Sequence, residues 1–211
     1  MILVIGGTDY IGRHIVREIR TKQYRVVVLG KTTANYQDGI DHKVVFERCN
    51  FHNIEELDLI FSRYSIEAVV YCKKDDKDSM VGLIHKMLEY KVEYFIFSEE
   101  IVSMHMSYKN LMMEKYKQYS IGLGGTSLTA EQILEGFYKV YNLRYVLTRY
   151  YNVQGDGISK GYNFIPAMFV SSNTQLGKFW DKGYITMKKD SIHIVDIAKA
   201  HTLALSYLLS E

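Results

Sequence analysis

Proline is almost absent from this chain, cysteine is scarce, and neither sign of charge prevails. The single proline, Pro166, and the lack of any Gly/Ser-rich stretch in 211 residues argue against a flexible linker, so one compact unit is expected. The two cysteines, Cys49 and Cys72, fall in predicted strands without metal-ligand spacing, which excludes a disulfide framework and predicts a reducing compartment. A formal net charge of +2 gives no pull toward nucleic acid or an anionic membrane. No apolar run approaches the roughly 20 residues that a membrane span needs. A first strand expected from Ile2 leaves no room for a leader ahead of it, so a cytoplasmic location is expected. Hydrophobic content of 47% and charged content of 24% are those of an ordinary globular protein with a full core.

Short runs of Val, Ile, Tyr and Phe alternate with helical patterns. Strands are expected at Ile2–Ile5, Arg25–Leu29, Val44–Phe46, Ala68–Cys72, Tyr94–Ser98 and Arg144–Tyr150. Between them, helices are expected at Ile11–Thr21, where Ile11, Ile15 and Ile19 share one face, and at Ile54–Tyr64, Ser79–Tyr90 and Ser127–Tyr141. That alternation implies a parallel sheet covered on both faces. It breaks after Asn152, where a helix near Pro166–Val170, a strand near Tyr184–Met187 and a last helix from about Ile197 to Leu209 are expected.

The most informative segment is the first. Met1–Gly12 reads as a buried strand, a glycine turn and a helix start, in the frame G-x-x-G-x-x-G with Gly6 and Gly12 in place. Such a turn brings the backbone close to a pyrophosphate at a helix N-terminus. Asp9, however, stands in the middle glycine slot. Its side chain and negative charge oppose a phosphate there.

Five motifs occur in register: Gly6-Gly7-Thr8-x-Tyr10-Ile11-Gly12, Tyr94–Ser98, Ala130-Glu131-Gln132-Ile133-Leu134, Arg149-Tyr150-Tyr151-Asn152 and Ile192–Ala198. Together they resemble the NAD-dependent epimerase/dehydratase family, the extended short-chain dehydrogenases typified by UDP-glucose 4-epimerase. The resemblance implies an α/β, Rossmann-like doubly wound parallel sheet. It divides the chain into a dinucleotide-binding part, 1–151, and a reduced remnant of the substrate lobe, 152–211, packed on it, since family members usually continue past this C-terminus.

The same resemblance implies a Tyr-x-x-x-Lys pair on the long helix and a Ser or Thr after the fifth strand for proton transfer at a sugar hydroxyl. Aligned on Ala130–Leu134, those positions carry Leu123, Ser127 and Glu100, and none can play its part. The one Tyr-x-x-x-Lys in the chain, Tyr184 to Lys188, lies in a predicted strand, where residues four apart are roughly 13 Å from each other. Glu100, His105 and Tyr108 are the remaining candidates for catalysis.

Carried over residue by residue, the resemblance puts Gly6, Thr8, Asp9, Tyr10, Ile11, Gly12 and Arg13 at the dinucleotide. Asn50 stands where the family has an adenine-contacting aspartate, and Lys73 follows the fourth strand, where the family has small residues. Lys31 replaces the acid that usually bonds the ribose hydroxyls, and with Arg13 it leaves NADP open beside NAD. With Asp9 in the turn, no cofactor at all is the third reading. Asp9, Lys73/Lys74 and Glu99/Glu100 are expected to converge at the crevice, as an ion-pair network filling it, as a lysine offsetting Asp9, or as charges that simply point to water. On the substrate side Asn152 and Lys189 match residues that contact a nucleotide sugar, while Asp196 is expected to N-cap the last helix and His193 to pack structurally. Relatives dimerise through the helices here at Ser79–Tyr90 and Ser127–Tyr141, so a homodimer, or a heteromer with an active paralogue, is implied. Two readings follow: a non-catalytic nucleotide-binding or accessory protein, and an oxidoreductase or epimerase working through non-standard residues.

Overall fold

A computed structural model describes residues 1–30, 44–73, 77–100, 130–150, 153–155, 168–172 and 192–210. The apolar runs form strands β1 (Ile2–Ile5), β2 (Val26–Gly30), β3 (Val44–Arg48), β4 (Ala68–Tyr71), β5 (Tyr94–Glu100) and β6 (Arg144–Tyr150). Helices α1 (Tyr10–Thr21), α2 (Ile54–Arg63), α3 (Lys77–Glu89) and α4 (Ala130–Tyr141) alternate with them, followed by β7 (Val153–Gln154), β8 (Met168–Ser172), β9 (Ile192–His193) and α5 (Ile194–Leu208). The main sheet has the order β3-β2-β1-β4-β5-β6-β8, and β1 to β6 are all parallel. This is the doubly wound order, with its switch point between β1 and β4.

Strand alternation divides the core in two. Leu3, Ile5, Tyr71, Phe95, Phe97 and Leu147 meet α2, α3 and α4 on one face. Val4, Val28, Val70, Ile96 and Val146 meet α1 and α5 on the other. Residues of β1 and β4 are closed to water on both faces, as strands in the middle of a covered sheet must be.

Five expectations are corrected. Residues 168–170 were expected within a helix but form strand β8, which pairs antiparallel with β6 from Tyr150↔Met168 to Val146↔Ser172. The edge of β6 offers a ladder that an isolated apolar segment takes in preference to a helix. The last helix starts three residues early, at Ile194. Its N-cap is His193, whose ring Nδ1 accepts from the Val195 amide at 3.3 Å, and Asp196 lies within the first turn rather than at the cap. His193 is exposed rather than packed. Cys49 and Cys72 each sit just beyond a strand end. The expected strand at 184–187, and residues 127–129 of the expected long helix, lie outside the described residues.

Under the C-terminal end of the sheet lies a buried polar layer that the sequence reading missed. Ser98 Oγ and Tyr150 Oη are 2.7 Å apart, and His201 places Nε2 2.9 Å from Thr148 Oγ1 and Nδ1 2.7 Å from the Ile197 carbonyl. Burial holds the fully enclosed His201 imidazole neutral, with its pKa pushed down from 6.5 to about 4. The folded state therefore refuses a proton that the unfolded chain accepts. Stability is full above pH 6.5 and falls as the pH drops toward 4, by about 3 kcal/mol in all. Urea midpoints measured between pH 7.5 and 4.5 should fall steadily below 6.5, and midpoints flat to pH 4.5 would refute a neutral buried His201.

Candidate functional site: the glycine turn and the crevice mouth

The segment between β1 and α1 is a tight turn of backbone on backbone. Gly6 has φ of +80°, and a Cβ there would lie 2.9 Å from the Cys72 carbonyl oxygen at the end of β4. At Gly12, a Cβ would stand 2.1 Å from the Gly6 oxygen, so the first turn of α1 rests directly on the loop. Thr8 lies over the end of β2, where Gly30 makes room for it: a Cβ at 30 would come within 2.7 Å of Thr8 Cγ2. The glycine frame read from the sequence is thus built in space.

Asp9 is the N-cap of α1, but its carboxylate makes no capping hydrogen bond. It turns instead to Lys73, whose Nζ donates to Oδ2 at 2.9 Å. The first intrahelical bond runs from the Arg13 amide to the Asp9 carbonyl at 2.9 Å, and the amides of residues 10–12 lie ahead of it. The side chains of Asp9 and Lys73 are 48% and 35% exposed, so water screens the pair and opening it costs only about 0–1 kcal/mol. In the first turn of α1, Arg13 Nε is buried with no hydrogen-bond partner. Cys72 lies below the turn. Burial pushes its thiol up to about 12 while a hydrogen bond to Ser98 works against the shift, so it remains a protonated thiol.

Of the expected network, Lys74 and the Glu100 side chain lie outside the described residues; Asp9 and Lys73 pair, and Glu99 does not join them. It accepts from Arg149 Nε at 2.6 Å, and Arg149 Nη1 donates to Glu131 on α4 at 3.2 Å. The reason is strand parity: Ser98 faces α5, so Glu99 faces α4. Burial alone would lower the Arg149 pKa, but Glu99 and Glu131 together outweigh it and hold the guanidinium charged.

Asn50 is exposed at the end of β3. Its amide donates to Glu56 Oε2 at 2.7 Å and its carbonyl accepts from the Asn53 amide at 2.8 Å, which fixes the backbone and turns the side chain outward. Tyr10 and Ile11 pack into an apolar cluster with Val153, Ile192, Ile194 and Ile197. Glu100 ends β5, and its side chain is outside the described residues, as are Lys31, Lys74, His105, Tyr108, Leu123, Ser127, Asn152 and Lys189. Among the described residues no group of His, Cys, Asp or Glu could hold a metal ion, and no helix is long and apolar enough to cross a membrane.

The family model described as "NAD dependent epimerase/dehydratase family" matches residues 2–90. A UDP-glucose 4-epimerase of Lacticaseibacillus casei is 26% identical, covering 98% of this chain and 72% of that protein. Among solved structures, the UDP-Glc/GlcNAc 4-epimerase of Campylobacter jejuni superposes with a TM-score of 0.67 at 20% identity, over 100% of this chain and 75% of that one. The UDP-glucose 4-epimerase of Brucella ovis, solved in complex with NAD, gives 0.63 at 16% identity, over 99% of this chain and 74% of that one. Strand order, glycine turn and these likenesses agree, and over residues 2–90 the chain is similar to the NAD-dependent epimerase/dehydratase family.

Proposed function

We propose that this protein binds a nicotinamide dinucleotide at the glycine turn without the family's proton-transfer chemistry, as an accessory or regulatory member of a nucleotide-sugar system. The observation that carries the binding half is the position of the Asp9 carboxylate. It is held 2.9 Å from Lys73 and leaves the start of α1 uncapped. A pyrophosphate arriving there meets an ammonium beside the aspartate, and the exposed pair exchanges partners at little cost. Gly6 and Gly12 keep the backbone approach. When bound, the dinucleotide supplies hydride chemistry. The residues of this chain supply its binding and orientation.

The non-catalytic half rests on position. Leu123 and Ser127 occupy the tyrosine and lysine slots, and Glu99, beside the lost hydroxyl at Glu100, is engaged by Arg149. A partner for such a role would meet the apolar end of α4, where Tyr138, Val140 and Tyr141 are exposed. One experiment addresses both halves. NAD, NADH, NADP and NADPH are titrated calorimetrically into cofactor-free wild type and Asp9→Gly. Turnover of UDP-glucose is then assayed, and the mass of the particle is read by light scattering. Wild type should bind at least one dinucleotide, Asp9→Gly should bind it about tenfold more tightly, and neither should turn over. Absence of heat from all four in both proteins would end the binding reading. Epimerase or redox turnover would replace the accessory role with an enzyme working through other groups, Glu100, His105 or Tyr108 among them.

A further inference from the structure

The first residues of α1 are gripped from two sides. On one, Asp9 is held by Lys73 beyond β4. On the other, Tyr10 reaches the small parallel sheet of β7 and β9, where Val153↔Ile192 and Gln154↔His193 are paired. The point of contact is Gly155. Its φ is +154°, and a Cβ there would stand 2.4 Å from Ile194 Cγ2 and 2.9 Å from the Tyr10 hydroxyl. Ile194 opens α5 directly after β9, and the contact belongs to one apolar cluster containing Tyr10, Ile11, Val153, Ile192 and Ile197. A strand from the C-terminal part of the chain, the start of α5 and the anion-facing end of α1 thus meet with no space for a methyl group.

From this joint we infer that Tyr10 and Gly155 are positioning residues that couple the C-terminal arm to the nucleotide turn. Tight packing transmits a shift instead of absorbing it. A ligand that moves β7 moves Tyr10, and with it the amides that follow Asp9. Binding at the turn and binding at the arm then alter each other's affinity by the same factor. The ligand arm of this inference rests on the dinucleotide reading above, whereas its mechanical part does not.

Amide hydrogen exchange on wild type, Gly155→Ala and Tyr10→Phe tests the mechanical part without any ligand. Overfilling the joint should speed exchange of the Arg13 amide, the first one bonded in α1, at least tenfold while the amides of residues 16–20, in the same helix, keep their wild-type rates. Tyr10→Phe, which removes the hydroxyl 2.9 Å from the added methyl but leaves Ile194 at 2.4 Å, should restore part of the protection when combined with Gly155→Ala. Uniform acceleration along α1, or none, would overturn the coupling, because a merely structural glycine would loosen the helix as a whole. In the ligand arm, NADH is titrated with and without saturating UDP-glucose. Wild type should show a change in affinity of threefold or more, and Gly155→Ala should bind both with no change. Equal affinities in wild type would also overturn it. If NADH does not bind at all, the functional reading fails while the exchange result still decides the joint.

Discussion

Gly12→Ala is expected to leave little or no folded protein. The added methyl would sit 2.1 Å from the Gly6 oxygen, 2.7 Å from Gly7 Cα and 2.8 Å from the Gly6 carbonyl carbon. All three are backbone atoms, so no rotamer change relieves the contact. Relief requires lifting α1 off the turn, and α1 carries Ile15, Val16 and Ile19 into the core on the α5 side. Overfilling a core commonly costs about 1–3 kcal/mol, and a backbone clash exceeds that range. Against a total stability of about 5–15 kcal/mol, loss of the soluble fold or a melting point lowered by more than about 10 °C is the expected result. Gly82→Ala is the matched control. A Cβ on Gly82 in α3 meets nothing within 4 Å, so the same substitution should stabilise by about 0.5–1 kcal/mol. Circular dichroism melts of both variants give the comparison. Should Gly12→Ala melt within 2 °C of wild type, the backbone contact described for the turn is wrong.

Arg149→Met should rank second. Arg149 is nine-tenths enclosed and neutralises Glu99 at 2.6 Å and Glu131 at 3.2 Å. Removing it leaves two carboxylates facing each other with little water, and breaking a buried ion pair by deleting one partner costs about 3–5 kcal/mol. The loss comes from the charges left behind, so removing them as well should recover it. The triple variant Arg149→Met with Glu99→Gln and Glu131→Gln is expected to return most of the way to wild type. Urea midpoints for the two variants measure this directly. A single variant as stable as wild type would mean that water already screens the cluster. A triple variant no better than the single one would mean that Arg149 acts by packing.

The scaffold was legible from its apolar runs and one helical period. Unbroken apolar runs mark β1, β2 and β4 as strands buried on both faces, and period 3.6 marks α1 through Ile15 and Ile19. The pairing of Asp9 with Lys73 was also within reach, since topology alone brings the ends of β1 and β4 together at the switch point. Glu99 was misjudged although the signal was present: Phe95, Phe97 and Glu99 share a parity, and the two phenylalanines face α2, α3 and α4. The polar layer of Ser98, Thr148, Tyr150 and His201 was missed for the opposite reason. Hydroxyls and an imidazole in apolar strands and a helix read as tolerated exceptions until their partners are seen. Strand β8 escaped because its cause, the free edge of β6, is tertiary. The helix cap went to His193 over Asp196 because the pairing of β9 with β7 fixes where the chain leaves the sheet and turns into α5.

The strand order also has a consequence in time. Four adjacent strands, β3-β2-β1-β4, are drawn entirely from residues 2–71, whereas β5 must wait for residues 144–150 to gain its outer neighbour. Closing β1 onto β4 spans Ile2 to Ala68, a long loop, but lengthening a flexible loop raises the closure cost only logarithmically. On a ribosome delivering about 5–20 residues per second, the N-terminal half-sheet has several seconds to assemble before β6 emerges. Until then the outer edge of β5 stays open, and that interval is when the nascent chain is most exposed to pairing with the wrong strand.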